Sequence, residues 1–342
     1  MRRSKTILLA LFATLALLAA ACGGGDQLES GDGGEEAPTA SGGSEGGELT
    51  AGTEALDGAQ ITVGSKDFDE QQVLGYISVT ALETAGATVD DQVNLGGTDA
   101  NRQALLSGQI QHYWEYTGTG WINHLGETDP IPDREEQYNA VKERDLEENN
   151  LVWLAPAPFN NTYGLAFRSE AAEELGNPET LSDLGPLIEN EPDQATICVE
   201  TEFESREDGL PGMEETYGYE FPQGGVTGLD TGVIYSAIDS GDPCNFGEIF
   251  TTDGRIAALD LTVLEDDESF FPLYNASPVF TRDVYEQYGE ALEACFDPIA
   301  EALTQEEMTE LNKRVSSDGE RPQAVAESFL NDNDLLGGCE GG

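Results

Sequence analysis

Lys66 and Phe68 come just after Ile61 to Gly64, a short apolar segment that predicts a β-strand, and Tyr116 and Thr119 come just after or at the end of another, Ile110 to Tyr116. In open α/β sheets the crevice outside the carboxyl ends of the strands is where ligands sit. An ammonium, a hydroxyl and two aromatic faces gathered there suit a small molecule that is greasy and cationic at one end and anionic at the other. Signatures of catalysis are missing. No GxSxG elbow stands between a strand and a helix, no HExxH occurs, and His112 and His124 are the only histidines. No CxxC spacing offers thiolates to a metal. The pattern predicts capture of a solute rather than its transformation, with no cofactor and no metal ion.

The elements that must position these residues alternate. After the strand ITVG, Val73, Leu74, Ile77 and Ala81 mark one face of a helix over 69–86. A strand is expected near Val93 to Leu95, then a helix capped by Thr98 or Asp99, then the strand IQHYWEY. A helix over Arg134 to Glu148 leads to the strand LVWLA. NNTYGLAF then crosses into a second series, with strands at TICVE, FGEIF and LTVLE and helices at LSDLGPLI, REDGLPGMEETYG and LDTGVIYSAIDSG. The chain passes through SFFPLYNASPVF and ends in helices over Asp283 to Leu303, Gln305 to Val315 and Arg321 to Leu330. Two βαβ series joined by two crossings predict an α/β clamshell. Lobe 1 takes residues 59–160 and 271–342, lobe 2 takes 161–270, and a hinge lies between them.

The amino terminus reads as an export signal over 1–21: basic MRRSK, an apolar run from Ile7 to Ala21, and small residues before Cys22. That run is short for a membrane span. Ala19-Ala20-Ala21-Cys22 resembles the lipobox of bacterial lipoproteins, which implies a lipid on Cys22 and attachment to the outer face of the cell membrane. Residues 22–58, rich in Gly, Ser, Glu and Asp, cannot offset the entropy of ordering and are expected to form a tether. The whole chain carries 67 acidic against 15 basic side chains, a formal charge of −52. Nucleic acid and anionic membrane surface are poor partners for such a surface. It reads as a heavily hydrated exterior rather than a device for steering cations, because salt screens long-range attraction. Besides Cys22 there are Cys198, Cys244, Cys295 and Cys339, an even number in an exported chain. Of the three possible pairings, Cys198–Cys244 with Cys295–Cys339 keeps each bridge inside one lobe.

Six blocks, in order, resemble the glycine betaine and choline binding proteins of osmoprotectant ABC transporters: VGSKDFDEQQVLGYI, GGTDANRQALLSGQIQHYWEYTGT, NNTYGLAF, ETEFESREDGL, IFTTDGRI and FFPLYNASPVF. The resemblance spans about residues 60–335. It implies a type II periplasmic-binding-protein fold, a monomer, an ABC permease as partner, and a small quaternary ammonium solute as ligand. A quaternary ammonium has no N–H to donate, so aromatic faces must recognise it, at roughly 0.5–2 kcal/mol per contact. The resemblance implies a cation cage of Tyr116, Tyr163, Phe250 and Tyr274, with Asn161 beside the head group. Phe250 stands where relatives more often have tyrosine, keeping the π face and losing a hydroxyl. Asn161 stands where many have an acid. For a ligand carboxylate it implies Arg206, with Lys66 and Thr119 as further donors and Glu202 orienting the guanidinium. Tyr235 reads as helix packing, and Asp253 with Arg255 as a structural pair.

Two other classes remain open to the sequence. One is an exported hydrolase or lyase acting on a choline-like or betaine-like substrate through a carboxylate pair. The other is a sensor or adhesion module that binds no solute, resting on the tether and the acidity.

Overall fold

The structure, a computed structural model, describes residues 55–127 and 129–339. The expected signal, Cys22 and nearly all of the expected tether lie outside those residues. Among the described residues, ten strands make two mixed sheets with the same order of connection. The first sheet runs β2-β1-β3-β10-β4, from β1 (Gln60–Gly64), β2 (Thr88–Gln92), β3 (His112–Tyr116), β4 (Leu151–Trp153) and β10 (Ala276–Thr281). The second runs β7-β6-β8-β5-β9, from β5 (Tyr163–Arg168), β6 (Ile197–Val199), β7 (Val226–Gly228), β8 (Phe246–Phe250) and β9 (Leu261–Val263). In each sheet one strand, β10 or β5, lies antiparallel to both neighbours. These are the strands the chain enters as it crosses between lobes, over 154–162 and 264–275. Each crossing therefore delivers its strand to an interior position of the other lobe's sheet, beside the edge strand, which ties the lobes by two covalent passes.

The helix Asp69–Thr84 buries Val73, Leu74, Ile77 and Ala81 on the face foreseen from their spacing. It packs against the carboxyl-terminal helices Gln305–Ser316 and Pro322–Asp332, so the end of the chain returns to the first lobe. Burial of such a stripe supplies most of the helix's stability, at roughly 25 cal/mol per Å² of apolar surface. Cys198 is bonded to Cys244 and Cys295 to Cys339.

Of the elements that differ from the sequence expectation, which include the unforeseen β7, three are instructive. The second strand is Thr88–Gln92, and Val93 to Leu95 instead form the turn after it, with Asn94 at φ 68°. This strand lies at the sheet's edge and is largely exposed, so its Asp90 and Asp91 need no apolar face. Thr201–Ser205 forms a short helix of its own, ending at Arg206. The third difference is β10, unforeseen because proline is rarely found inside a sheet. Pro278 pairs with Trp114 of β3, while its carbonyl accepts Leu154 N–H on the opposite flank, just past the end of β4. Carbonyl and amide of one strand residue point the same way, so the missing N–H costs no bond to β3.

Candidate functional site

A cavity of about 270 Å³ opens between the two sheets. Tyr116, Tyr163, Phe250, Tyr274, Asn161, Arg206, Lys66, Thr119 and Glu202 all line it. They arrive from strand ends. Lys66 follows β1; Tyr116 ends β3 and Thr119 lies one turn on; Tyr163 opens β5 and Phe250 closes β8. Tyr163 and Phe250 are direct partners in the antiparallel register of β5 and β8, which sets their rings 5.3 Å apart. Tyr274 comes from the crossing into β10 and meets Tyr163 edge to face at 5.4 Å and 79°. Its position depends on Gly118, where a Cβ would lie 2.9 Å from the Tyr274 ring and 2.8 Å from Leu273 O.

Phe68 also lines the cavity. It stacks on Phe250 at 5.1 Å and stands parallel to Tyr116 at 6.3 Å, linking an aromatic face of the first lobe to one of the second. The sequence placed it in the ligand crevice beside the strand end, but the resemblance did not include it in the cage. Behind Phe250, the Tyr235 hydroxyl accepts the Phe250 amide at 3.0 Å, and the Arg255 guanidinium lies 4.3 Å over the Tyr235 ring. Tyr235 thus supports the cavity wall from within the second lobe. Asp253 and Arg255 pair with each other at 2.5 Å, and Arg255 also reaches Asp69 of the first lobe at 3.5 Å.

The polar wall is more constrained than its residue types suggest. Lys66 Nζ donates to Glu115 Oε1 at 2.7 Å, and this carboxylate also accepts from Tyr113 Oη and the Tyr116 amide and meets His124 Nε2. Burial alone would raise the Glu115 carboxyl, but the charge of Lys66 and the contacts of His124 outweigh it and hold the group well below the usual range. Arg206 directs its fork at Asp208, with Nε to Oδ1 at 2.8 Å and Nη2 to Oδ2 at 2.6 Å, and gives Nη1 to Glu202 at 3.2 Å. Two of its five N–H groups remain for a ligand. Glu202 therefore does contact the guanidinium, yet Asp208 is the main partner. Asp208 further accepts from Tyr274 Oη at 2.6 Å and Asn123 Nδ2 at 3.1 Å.

Several of these contacts cross the cleft. Glu202 Oε1 accepts the Thr98 amide at 2.7 Å, satisfying a free N–H at the start of the helix Thr98–Leu106. The helix has Gly97 at its cap rather than the expected Thr98 or Asp99, and a Cβ there would sit 2.3 Å from Glu202 Oε1. Thr252, just past β8, reaches Glu70 on the helix Asp69–Thr84 at 2.6 Å. Glu70, Glu115, Asp208, Thr252 and Asn312 are buried polar residues behind the cavity wall to which sequence reasoning gave no site role. Glu70 sits in the first quoted block, but an acid in a helix's first turn reads as an ordinary dipole partner. Asp208 and Glu115 are two acids among many. Among the described residues no cluster of three or more His, Cys, Asp or Glu side chains is placed to hold a metal, and no helix is long and apolar enough to cross a membrane.

Residues 59–332 match the model of a family described as the substrate binding domain of ABC-type glycine betaine transport systems. A glycine-betaine-binding protein of Pseudomonas aeruginosa is 39% identical over 283 residues, covering 81% of this chain and 88% of that one. The ergothioneine transport permease and binding protein EgtU of Helicobacter pylori is 33% identical over 277 residues, 81% of this chain and 48% of that longer protein. Among solved structures, apo YehZ of Escherichia coli superposes with a TM-score of 0.58 at 32% identity, covering 81% of this chain and 99% of that one. The two-lobed α/β fold is that of the periplasmic binding proteins, and by its match over nearly the whole described part this chain belongs to the substrate-binding family of ABC-type glycine betaine transporters.

Proposed function

We propose that this chain captures a quaternary ammonium solute, such as glycine betaine, choline or a related betaine, and presents it to an ABC permease outside the cytoplasm. The observation that carries this reading is the convergence on one cavity of four aromatic side chains and three donors drawn from distant segments. Tyr116, Tyr163, Phe250 and Tyr274 form the cage, with Asn161 beside the head group. Arg206, Lys66 and Thr119 face the ligand's carboxylate. Because Tyr163 and Phe250 belong to the second lobe and Tyr116 to the first, the cage is complete only when the lobes meet. Closure is then the recognition event. The chain acts as a monomer held to the outer face of the cell membrane by a lipid on Cys22, and performs no chemistry on its ligand.

Titration calorimetry and thermal shift with glycine betaine, choline, carnitine and ergothioneine test the proposal. At least one is expected to bind at micromolar concentration or below and to raise the melting temperature by mass action. Silence toward all four would refute it, and turnover of any of them would favour an enzyme.

A further inference from the structure

The buried carboxylates of this molecule sort by their partners. Glu115 has Lys66, Asp145 has Arg102, Asp208 has Arg206 and Asp253 has Arg255. Two have no cationic partner among the described residues: Glu248, which accepts a backbone amide and lines neither void of the cleft, and Glu70, 3% exposed. Glu70 has instead four neutral ones. Oε1 is bonded by Tyr116 Oη and Asn161 Nδ2, each at 2.8 Å; Oε2 is bonded by Thr252 Oγ1 at 2.6 Å and Asn312 Nδ2 at 2.7 Å. Four donors fill the acceptor sites of an ionised carboxylate. They do not neutralise it, and an uncompensated buried charge is costly to a folded protein. Two of the four, Tyr116 and Asn161, have their other side in the ligand cavity. A smaller void lined by Glu70, Phe68, Asn161 and Phe250 adjoins it.

We propose that Glu70 is the counter-charge of the bound cation, a carboxylate sealed one hydrogen bond behind the cage whose missing partner is the ligand's ammonium head. The inference rests on the cation-cage reading and adds to it a fixed negative charge that no ring supplies. Coulombic attraction acts through the Tyr116 and Asn161 dipoles in a medium far less polar than water. Thr252 belongs to the second lobe, so its bond to Glu70 forms as the lobes meet, placing the charge and closure on one group. Burial raises the Glu70 carboxyl above its ordinary range, and the bonds from Thr252, Asn312, Tyr116 and Asn161 oppose that rise.

The test compares glycine betaine with 3,3-dimethylbutanoate, which has the same shape and carboxylate and an uncharged quaternary carbon in place of nitrogen. Glu70→Gln is expected to weaken glycine betaine at least tenfold while changing the uncharged isostere by less than threefold. Asn312→Lys, which supplies Glu70 with an internal cation, is expected to weaken glycine betaine in the same way. Thr252→Val removes one of the two cross-lobe bonds to Glu70, leaving that of Asn161, and keeps the charge; it is expected to cost less than Glu70→Gln. The inference is overturned if Glu70→Gln holds glycine betaine within twofold of the parent. It is also overturned if both ligands weaken equally, or if Thr252→Val costs as much, since Glu70 would then be only a latch. Failure of the parent to bind any cation would instead refute the cage itself.

Discussion

Replacing Arg206 by lysine separates the two ends of the ligand. The guanidinium spends three N–H groups on Asp208 and Glu202 and keeps two for the cavity. Lysine retains the positive charge, so Asp208, which is 2% exposed, is not left without a cation. Its ammonium has only three donors, and two are needed to replace the bonds to Asp208 and Glu202. At most one remains for a carboxylate. Losing one charge-assisted hydrogen bond of roughly 1.5–3 kcal/mol corresponds to about a 30-fold weaker complex, at 1.4 kcal/mol per factor of ten. Choline has no carboxylate and should change by less than about threefold. Calorimetric titration of parent and Arg206→Lys with glycine betaine and choline, alongside thermal melts to confirm the fold, gives the comparison. Equal losses for the two ligands, or none for either, would mean that Arg206 does not read the carboxylate.

Other outcomes follow from the same geometry. Tyr116→Ala and Tyr274→Ala each remove a desolvated aromatic face and are expected to weaken cation binding at least tenfold; unchanged affinity in both would remove these rings from the site. Glu248, 3% exposed on β8, accepts the Glu200 amide at 2.7 Å, and burial pushes its carboxyl up to about 8. A raised acid holds its proton in the folded state, so its contribution to stability is full below about pH 4.5 and is lost as pH rises through about 8. Glu248→Gln should accordingly gain stability over the parent between pH 5 and 8.5, by an amount on the order of a few kcal/mol; a difference in melting temperature that stays flat with pH would contradict this. Removing the Cys295–Cys339 bridge, whose residues are 44 apart, should cost about 4 kcal/mol by the loop-entropy estimate, and a melting temperature within a degree or two of the parent would show that the carboxyl-terminal segment is held by packing alone.

Much of the architecture was legible in the sequence because its causes are local. A helix announces its buried face by spacing, as at Val73, Leu74, Ile77 and Ala81, and a strand by a short apolar run, as at ITVG and FGEIF. The strand ends then marked where Lys66, Phe68, Tyr116 and Thr119 would stand, and the order of the six blocks carried the family and, with it, the expectation for Tyr163 and Phe250. What remained hidden depended on partners far apart in the chain. Pro278 spoke against a strand until the sheet showed that its missing amide faces a flank where β4 has ended. Asp208 stands only two residues from Arg206, yet only the folded chain makes it, rather than Glu202, the partner of the fork, and Lys66 is committed to Glu115, 49 residues away. In a chain with 67 acidic side chains, an acid's identity says almost nothing about its role. Burial and neighbours decide it, and those are properties of the folded molecule: Glu70 becomes distinct from a solvated helix-start acid only when residues 116, 161, 252 and 312 are brought around it.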